Sequence, residues 1–512
     1  MSKAINWIVA IIAQQDGEHC FEYADLEYSI LSHASFKDIK YNLFYYEQRS
    51  SIVTIKEVQY NSRFKAQVFY EKEQPSVADI YKPETLVNFL KAVFLPDTDE
   101  IEYRYMTILW GHGVALGYLS QSTDDPDDPN HFDFFSMVRS PELVSLPVDK
   151  RKEYNQKLGS YSFVRAHLPL PTAPTDFVQK LFAQDAAVPL PPAAVDGVNK
   201  ALELITARQL NAIFQQSLPT GKKIDVLIAN SCYTQLFETG YALRDTVQLM
   251  IAPETTISFA GFNYPALFTL IGEKPESTLQ AIAENVRDKF WARYQNKAFL
   301  SVFKVQRPVD HLALPDVSFS ANLLEPYQDL LDEVINPLAE KFIGLLHGDK
   351  GSQIGNVRDR CADVSWQPVF GMPAYGVVDL THFLTEFVKA RQKAGDTQWD
   401  VFLEKLTVLR KRICAAWLQA RDKRLYTPGR KTSSPNFLAI FFPSDGSTNT
   451  SGALFTEYLA TDSPLVNEQL FGWIKFISEY HTTISIFFVP TTIPLPVTPV
   501  TTEPGPAAGN PA

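Results

Sequence analysis

Three apolar runs constrain this chain more than any other feature. Ile5-Asn6-Trp7-Ile8-Val9-Ala10-Ile11-Ile12-Ala13, Arg104–Trp110 and Ile224-Asp225-Val226-Leu227-Ile228-Ala229 are each short, rich in aliphatic, aromatic and β-branched residues, and cut off abruptly by polar residues or glycine. None reaches the roughly 18 residues needed to cross a bilayer. Runs of this length and type read as strands buried in a core. The first ends at Gln14-Gln15-Asp16-Gly17, a turn, so it reads as a strand rather than a secretory signal. Helical spacing follows the other two pieces of the pattern. Pro83–Phe94 carries Leu86, Phe89, Leu90 and Val93, and helices are expected over Glu22–Leu31, Val198–Gln215, Thr234–Leu243, Tyr264–Ile271 and Ser277–Tyr294. Strands at Ile39–Tyr46, Ile52–Gln59 and Ala66–Tyr70 suggest a hairpin, and Gln248–Ala252 adds another strand. Strands alternating with helices predict crossover units and a mainly parallel sheet, an α/β fold.

Two segments depart from that rhythm. Residues 121–198 bring Asp124, Asp125, Asp127, Asp128 and Asp133 together at one end and a scatter of prolines at the other, which reads as a long insertion of low regularity. Beyond about residue 310 the pattern turns mainly helical, over Ser318–Leu346, Leu380–Gln392 and Trp399–Arg421, with a strand at Asn436–Phe442. The Pro- and Thr-rich end reads as a disordered tail. The expected organisation is therefore 1–310 as one α/β domain, 311–485 as a mainly helical accessory domain, and 486–512 as the tail.

Charge narrows the function. Lys and Arg number 47 against 58 Asp and Glu, a net charge of −11. That sign disfavours nucleic acid and anionic membrane as partners. Four cysteines, Cys20, Cys232, Cys361 and Cys414, are too scattered for a disulfide framework, and the nine histidines form no zinc-ligand spacing. No Gly-x-Ser-x-Gly elbow is present, against an α/β serine hydrolase. Few cysteines and no signal lean towards a cytoplasmic location, with secretion as the alternative.

Chemistry is expected where parallel strands end, because loops beyond their carboxyl ends collect functional groups. His112 follows the strand Arg104–Trp110, and Cys232 follows Ile224–Ala229. If those strands are parallel neighbours, an imidazole and a thiol meet in one cleft, the pairing that a cysteine nucleophile needs. Gly113 would let a backbone N–H approach an oxyanion. A helix opening at Cys232 would favour a thiolate through its dipole. Position alone leaves open that Cys232 is a small core residue.

Leu109-Trp110-Gly111-His112-Gly113 resembles the histidine motif of the clostripain family of cysteine peptidases, and Asp225–Cys232 resembles that family's cysteine strand. Glu238, Tyr241, Arg244-Asp245, Ala252-Pro253-Glu254 and Gly261-Phe262-Asn263-Tyr264 follow in the family's order, with weaker likeness at Val378-Asp379-Leu380 and Ile440–Pro443. The resemblance implies a caspase-like three-layer α/β/α sandwich and a cysteine endopeptidase acting on polypeptides. It implies His112 as general base and acid, Cys232 as nucleophile, and the N–H groups of Gly113 and Cys232 as the oxyanion hole. No cofactor is required by this chemistry, and the resemblance brings calcium into consideration. The acidic run Asp124–Asp128 lacks the Gly and Glu of an EF-hand loop and reads as solvated.

Two substitutions mark this chain. The family motif has Asp where Asn230 stands, and Asp is common where Asn263 stands. Both positions are expected to bind substrate. An amide accepts a hydrogen bond from a guanidinium without pairing its charge, which puts a preference for Arg or Lys at the cleaved position in doubt. The contrasting reading is a catalytically silent binding or regulatory module on the same fold. Basic residues within 121–198, from Arg139 to Arg165, offer sites for self-processing. Oligomeric state is not legible.

Overall fold

The computed structural model describes residues 3–15, 39–47, 52–59, 67–75, most of 83–119, 205–254, 257, 261–294, 316–347, 352–358, 361, 377–421, 438–442 and 472–487. The expected helix Glu22–Leu31, the insertion 121–198 and all of the tail 486–512 but its first two residues, which end a helix, lie outside them, as does His112. No helix among the described residues is long and apolar enough to cross a membrane.

A nine-stranded sheet organises the chain. Its strands are β1 (Ile5–Gln15), β2 (Ile39–Glu47), β3 (Ile52–Gln59), β4 (Gln67–Pro75) and β5 (Glu102–Trp110), followed later in the sequence by four more. Three short strands intervene, β6 (Gly113–Val114), β7 (Gly117–Tyr118) and β8 (Ile205–Thr206), and form a small sheet of their own. The main sheet resumes with β9 (Ile224–Asn230), β10 (Val247–Pro253) and β11 (Asp316–Leu323). β12 (Val377–Asp379) and β14 (Ala439–Phe441) pair separately, and β13 (Cys414–Arg421) completes the main sheet. The order is β13-β11-β10-β9-β5-β1-β2-β3-β4. The centre, β10-β9-β5-β1-β2, is parallel throughout, and both flanks are antiparallel. The strand order reverses between β1 and β5, which makes the carboxyl edge there the natural place for a cleft.

Each central strand feeds two cores. In β1, Trp7, Val9, Ile11 and Ala13 face one and Ile8, Ala10 and Ile12 the other. One face is covered by α4 (Tyr264–Glu273) and α5 (Leu279–Tyr294), numbered after α1 (Pro83–Val93), α2 (Ala207–Ser217) and α3 (Phe237–Leu243) on the opposite face. That second face also takes α6 (Tyr327–Leu330), a π-helical turn Leu331–Ile335, α7 (Asn336–Leu346), α8 (Ser352–Arg358), α9 (Leu380–Lys393), α10 (Asp400–Ile413) and α11 (Gly472–Phe487). The result is three layers, α/β/α, as expected.

The expected boundary at 310/311 is corrected by the sheet. β11 and β13 come from the segment read as a separate helical domain, yet they extend the main sheet from β10. Helices of that segment share one core with Leu86, Phe214, Leu227 and Met250. They complete the cover that α1, α2 and α3 begin on that face. Two helix expectations fail for the same reason. Asp316–Leu323 alternates, placing Phe319 and Ala321 in one core while Ser318, Ser320 and Asn322 are buried on the other face. The helix expected over Trp399–Arg421 ends at Ile413, and Cys414 turns straight into β13. The helix expected from Val198 begins at Ala207, where Thr206 accepts from Gln209 N–H and the Gln209 side chain accepts from Thr206 N–H, a reciprocal cap.

Candidate active site

β5 and β9 are parallel neighbours in register, Trp110 opposite Asn230. The two motifs therefore leave the sheet side by side, and Gly111 N–H still donates to Asn230 C=O at 3.3 Å. Past that point Gly113 lies tight against the cysteine turn. A Cβ built there would come within 2.6 Å of Ser231 Cβ and 2.8 Å of both Cys232 O and Thr234 Cγ2. No side chain fits, so glycine is a steric requirement here. Gly113 also pairs with Tyr118, and Gly117 with Thr206, so the chain leaving for the insertion and the chain returning from it meet at this rim. His112 is outside the described residues; its flanks Gly111 and Gly113 are within them.

The cysteine turn is held by its own polar groups. Thr234 Oγ1 donates to Ser231 O at 2.9 Å, and Gln235 N–H donates to Pro253 O at 2.9 Å. Leu236 N–H donates to Thr239 Oγ1 at 3.1 Å, and that hydroxyl donates back to Thr234 O at 2.9 Å. From behind, the buried carboxylate of Glu238 accepts the Phe441 N–H at 3.1 Å, which ties the turn to β14. Tyr233, directly after the cysteine, adopts φ +58° and is buried. A bulky residue in the left-handed region costs about 1–2 kcal/mol, so the turn is set by its surroundings rather than by local preference.

The expected helix dipole at Cys232 is absent. α3 starts at Phe237, and residues 232–233 form a turn. Burial pushes the Cys232 thiol up to about 11, an effect only partly offset by the Ile257 N–H. That N–H donates to Sγ at 3.5 Å, and Sγ contacts Ile257 O at 3.9 Å.

The two expected substrate-binding residues separate. Asn230 ends β9, is 3% exposed, and its Oδ1 has no hydrogen-bond partner. Gly261, at φ +61°, packs directly on this amide, and any side chain there would overlap it. Asn263 is instead occupied structurally. Its Oδ1 caps α4 by accepting from Ala266 N–H at 3.2 Å, and its Nδ2 donates to Lys289 O at 2.9 Å. Both ends of that amide are engaged, one capping α4 and the other holding it to Lys289.

Sequence reasoning missed Ile257 and Tyr233. Ile257 acts through main-chain atoms, which leave no residue-type signal, and the strain at Tyr233 exists only in the folded turn. Glu254, one step beyond β10, is also buried. Its carboxyl is raised well above the usual carboxylate range, first by burial and then by the charge of Asp379, while Ser318 Oγ donates to it at 3.2 Å. Among the described residues no group of three or more His, Cys, Asp or Glu is arranged to hold a metal ion. The acidic run 124–128 is outside them.

The model of the clostripain family matches residues 194–342, which span β8 to α7 and include Cys232. No curated protein matches the chain. Among solved structures, an inactive zymogen C11 protease from Parabacteroides distasonis is 13% identical, with a TM-score of 0.50, covering 93% of this chain and 99% of its own. A secreted C11 cysteine protease from Bacteroides thetaiotaomicron, iotapain, is 12% identical, with a TM-score of 0.52, covering 88% of this chain and 99% of its own. At such identities the structures speak for the fold, and the family model speaks for the cysteine segment. Residues 194–342 thus match the clostripain family of cysteine peptidases, and the chain shares the fold of these C11 proteases.

Proposed function

We propose that the chain is a cysteine endopeptidase in which Cys232 is the nucleophile and His112 the general base and acid. The observation that supports it most is the parallel pairing of β5 and β9 with Trp110 opposite Asn230, together with Gly113 packed on Ser231–Cys232. His112 takes the thiol proton as Sγ attacks the scissile carbonyl carbon. The N–H groups of Gly113 and Cys232 receive the oxyanion. The C–N bond then breaks, and His112 passes its proton to the leaving amine, giving a thioester. Water, deprotonated by His112, attacks the thioester; the C–S bond breaks and the proton returns to sulfur. The reaction needs no metal of its own, and turnover is expected to persist in chelator; turnover restored only by added calcium would make the ion a requirement.

Asn230 sets the preference at the cleaved position. A buried, unpaired carbonyl oxygen accepts a hydrogen bond and offers no counter-charge, so uncharged donors should compete with Arg and Lys. Profiling a mixed peptide library with wild type and Cys232→Ala tests the whole reading. Turnover by wild type alone, without dominance of Arg or Lys, is expected. No turnover by either form, with equal thiol labelling of both, would leave a silent binding module on this fold. Dominance of basic residues would refute the role given to Asn230.

Self-processing within 121–198 belongs to the same proposal, supported by the meeting of the insertion's two ends beside Gly113. Mass spectrometry should find wild type cut there and Cys232→Ala intact. A cytoplasmic location is retained as the expectation; recovery of the chain from culture medium would replace it with export.

A further inference from the structure

The turn that carries Cys232 does not hold its shape by local preference, since Tyr233 sits at φ +58°. Contacts with distant segments must fix it. Gln235 N–H donates to Pro253 O at 2.9 Å, at the end of β10. Two further contacts go to one short strand of the C-terminal segment. Leu236 forms a parallel bridge with Ala439, and the Glu238 carboxyl accepts the Phe441 N–H at 3.1 Å. β14 is in turn held by its own neighbours. Phe441 C=O accepts from Trp473 Nε1–H of α11 at 2.9 Å, Arg358 Nε donates to Phe442 O, and β12 pairs along the strand. Glu238, Arg358, Phe442 and Trp473 are all buried.

A buried carboxyl is costly unless hydrogen bonds satisfy it. At Glu238 the bond made is to the main chain of a strand anchored elsewhere, so it fixes α3 in place. Thr239, the next residue, accepts from Leu236 N–H at 3.1 Å and donates to Thr234 O at 2.9 Å, which joins α3 and the cysteine turn into one unit. A shift of that unit carries Sγ and the N–H of Cys232 with it, and misplacing reacting groups by about 1 Å costs about a hundredfold in rate. We propose that Glu238 is a positioning residue for the nucleophile, supported by Phe441 and Trp473, so that the C-terminal segment acts on catalysis through the back of the cysteine turn. The proposal rests on Cys232 being the nucleophile.

The test is steady-state kinetics on the full chain, with the peptide that wild type cleaves fastest. Glu238→Ala removes the acceptor and should lower kcat by about tenfold or more, with KM within about twofold, in protein shown by circular dichroism to be folded. Glu238→Gln keeps an oxygen in reach of the Phe441 N–H and should restore kcat to within about threefold of wild type. A kcat within about twofold of wild type in folded Glu238→Ala would overturn the proposal, as would equal losses in the Ala and Gln variants. If Glu238→Ala does not fold, Trp473→Phe decides, since it keeps a ring in the core and drops only the donor to Phe441 O. Its kcat should fall by about threefold with KM unchanged, and an unchanged kcat would overturn the support. Failure of the peptidase reading is distinguishable. If wild type turns over no peptide, hydrogen exchange decides the positioning. The Gln235 and Leu236 amides should then exchange about tenfold faster in Glu238→Ala and at wild-type rates in Glu238→Gln. That result removes the activity and leaves the brace on the cysteine turn standing, whereas equal rates in all three forms overturn the brace as well.

Discussion

Cys232 and Cys414 stand at strand termini of the same sheet, and burial pushes both thiols up, to about 11 and about 12. Their surroundings differ. Cys232 leaves the carboxyl end of a parallel strand, beside a second strand end that carries Gly111 and Gly113. Cys414 enters an antiparallel strand opposite Asn322, contacts Ala416 O at 3.5 Å, and has the Glu254 carboxyl as its second influence after burial. A raised thiol is therefore no mark of function in this molecule. Position at the edge where parallel strands converge is what separates the two.

The largest effect that can break this comparison is Cys232→Ala, expected to lower peptide turnover by about a thousandfold or more while Cys414→Ala changes it less than about twofold. Equal losses would show that the strand-end argument chose wrongly. Gly113→Ala comes next. Its Cβ would press on Ser231 and Cys232, so kcat should fall by about a hundredfold, with KM moving less. Asn230→Asp should raise the kcat/KM ratio of Arg over Gln at the cleaved position by about tenfold, since a carboxylate supplies the missing countercharge. A ratio unchanged by Asn230→Asp would detach that residue from substrate choice.

The pH dependence is a smaller effect. Each thiol binds its proton more tightly folded than unfolded, where it titrates near the ordinary value of 9.0. Between that value and about 11 the folded state holds protons that the unfolded state has released. Stability is thus undiminished below pH 9 and falls as pH rises through this window. Denaturation midpoints in urea should drop over that range in wild type and less in Cys414→Ala. A flat profile would show that neither thiol is shielded in solution.

Legibility in the sequence tracked how each strand is buried. β1, β5 and β9 are covered on both faces, so their sequences are near-continuous apolar runs that stand out unaided. β11 is also buried on both faces, but one carries Ser318, Ser320 and Asn322, and the alternation disappears into the helix that follows. β13 reads Cys-Ala-Ala-Trp-Leu-Gln-Ala-Arg, with alanine and leucine that favour a helix. It is a strand because the open edge of β11 offers hydrogen bonds, a fact external to its own residues. Asn263 was legible as a polar residue near the motif, but its use as a cap depends on the geometry of α4 and on Lys289.

What the residues alone determined is the pair of motifs and their strand-end context, because burial and chemistry both leave residue-type signatures. Leu109–Gly113 and Asp225–Cys232 carry them without a fold in hand. Only the tertiary structure decided that β5 and β9 are parallel neighbours in register, that the C-terminal segment belongs to the same sheet, and that the Ile257 N–H donates to the Cys232 thiol. Each of these depends on main-chain hydrogen bonds between distant segments. Every residue except proline carries the same backbone donor and acceptor, so pairing of that kind leaves no trace in residue identity.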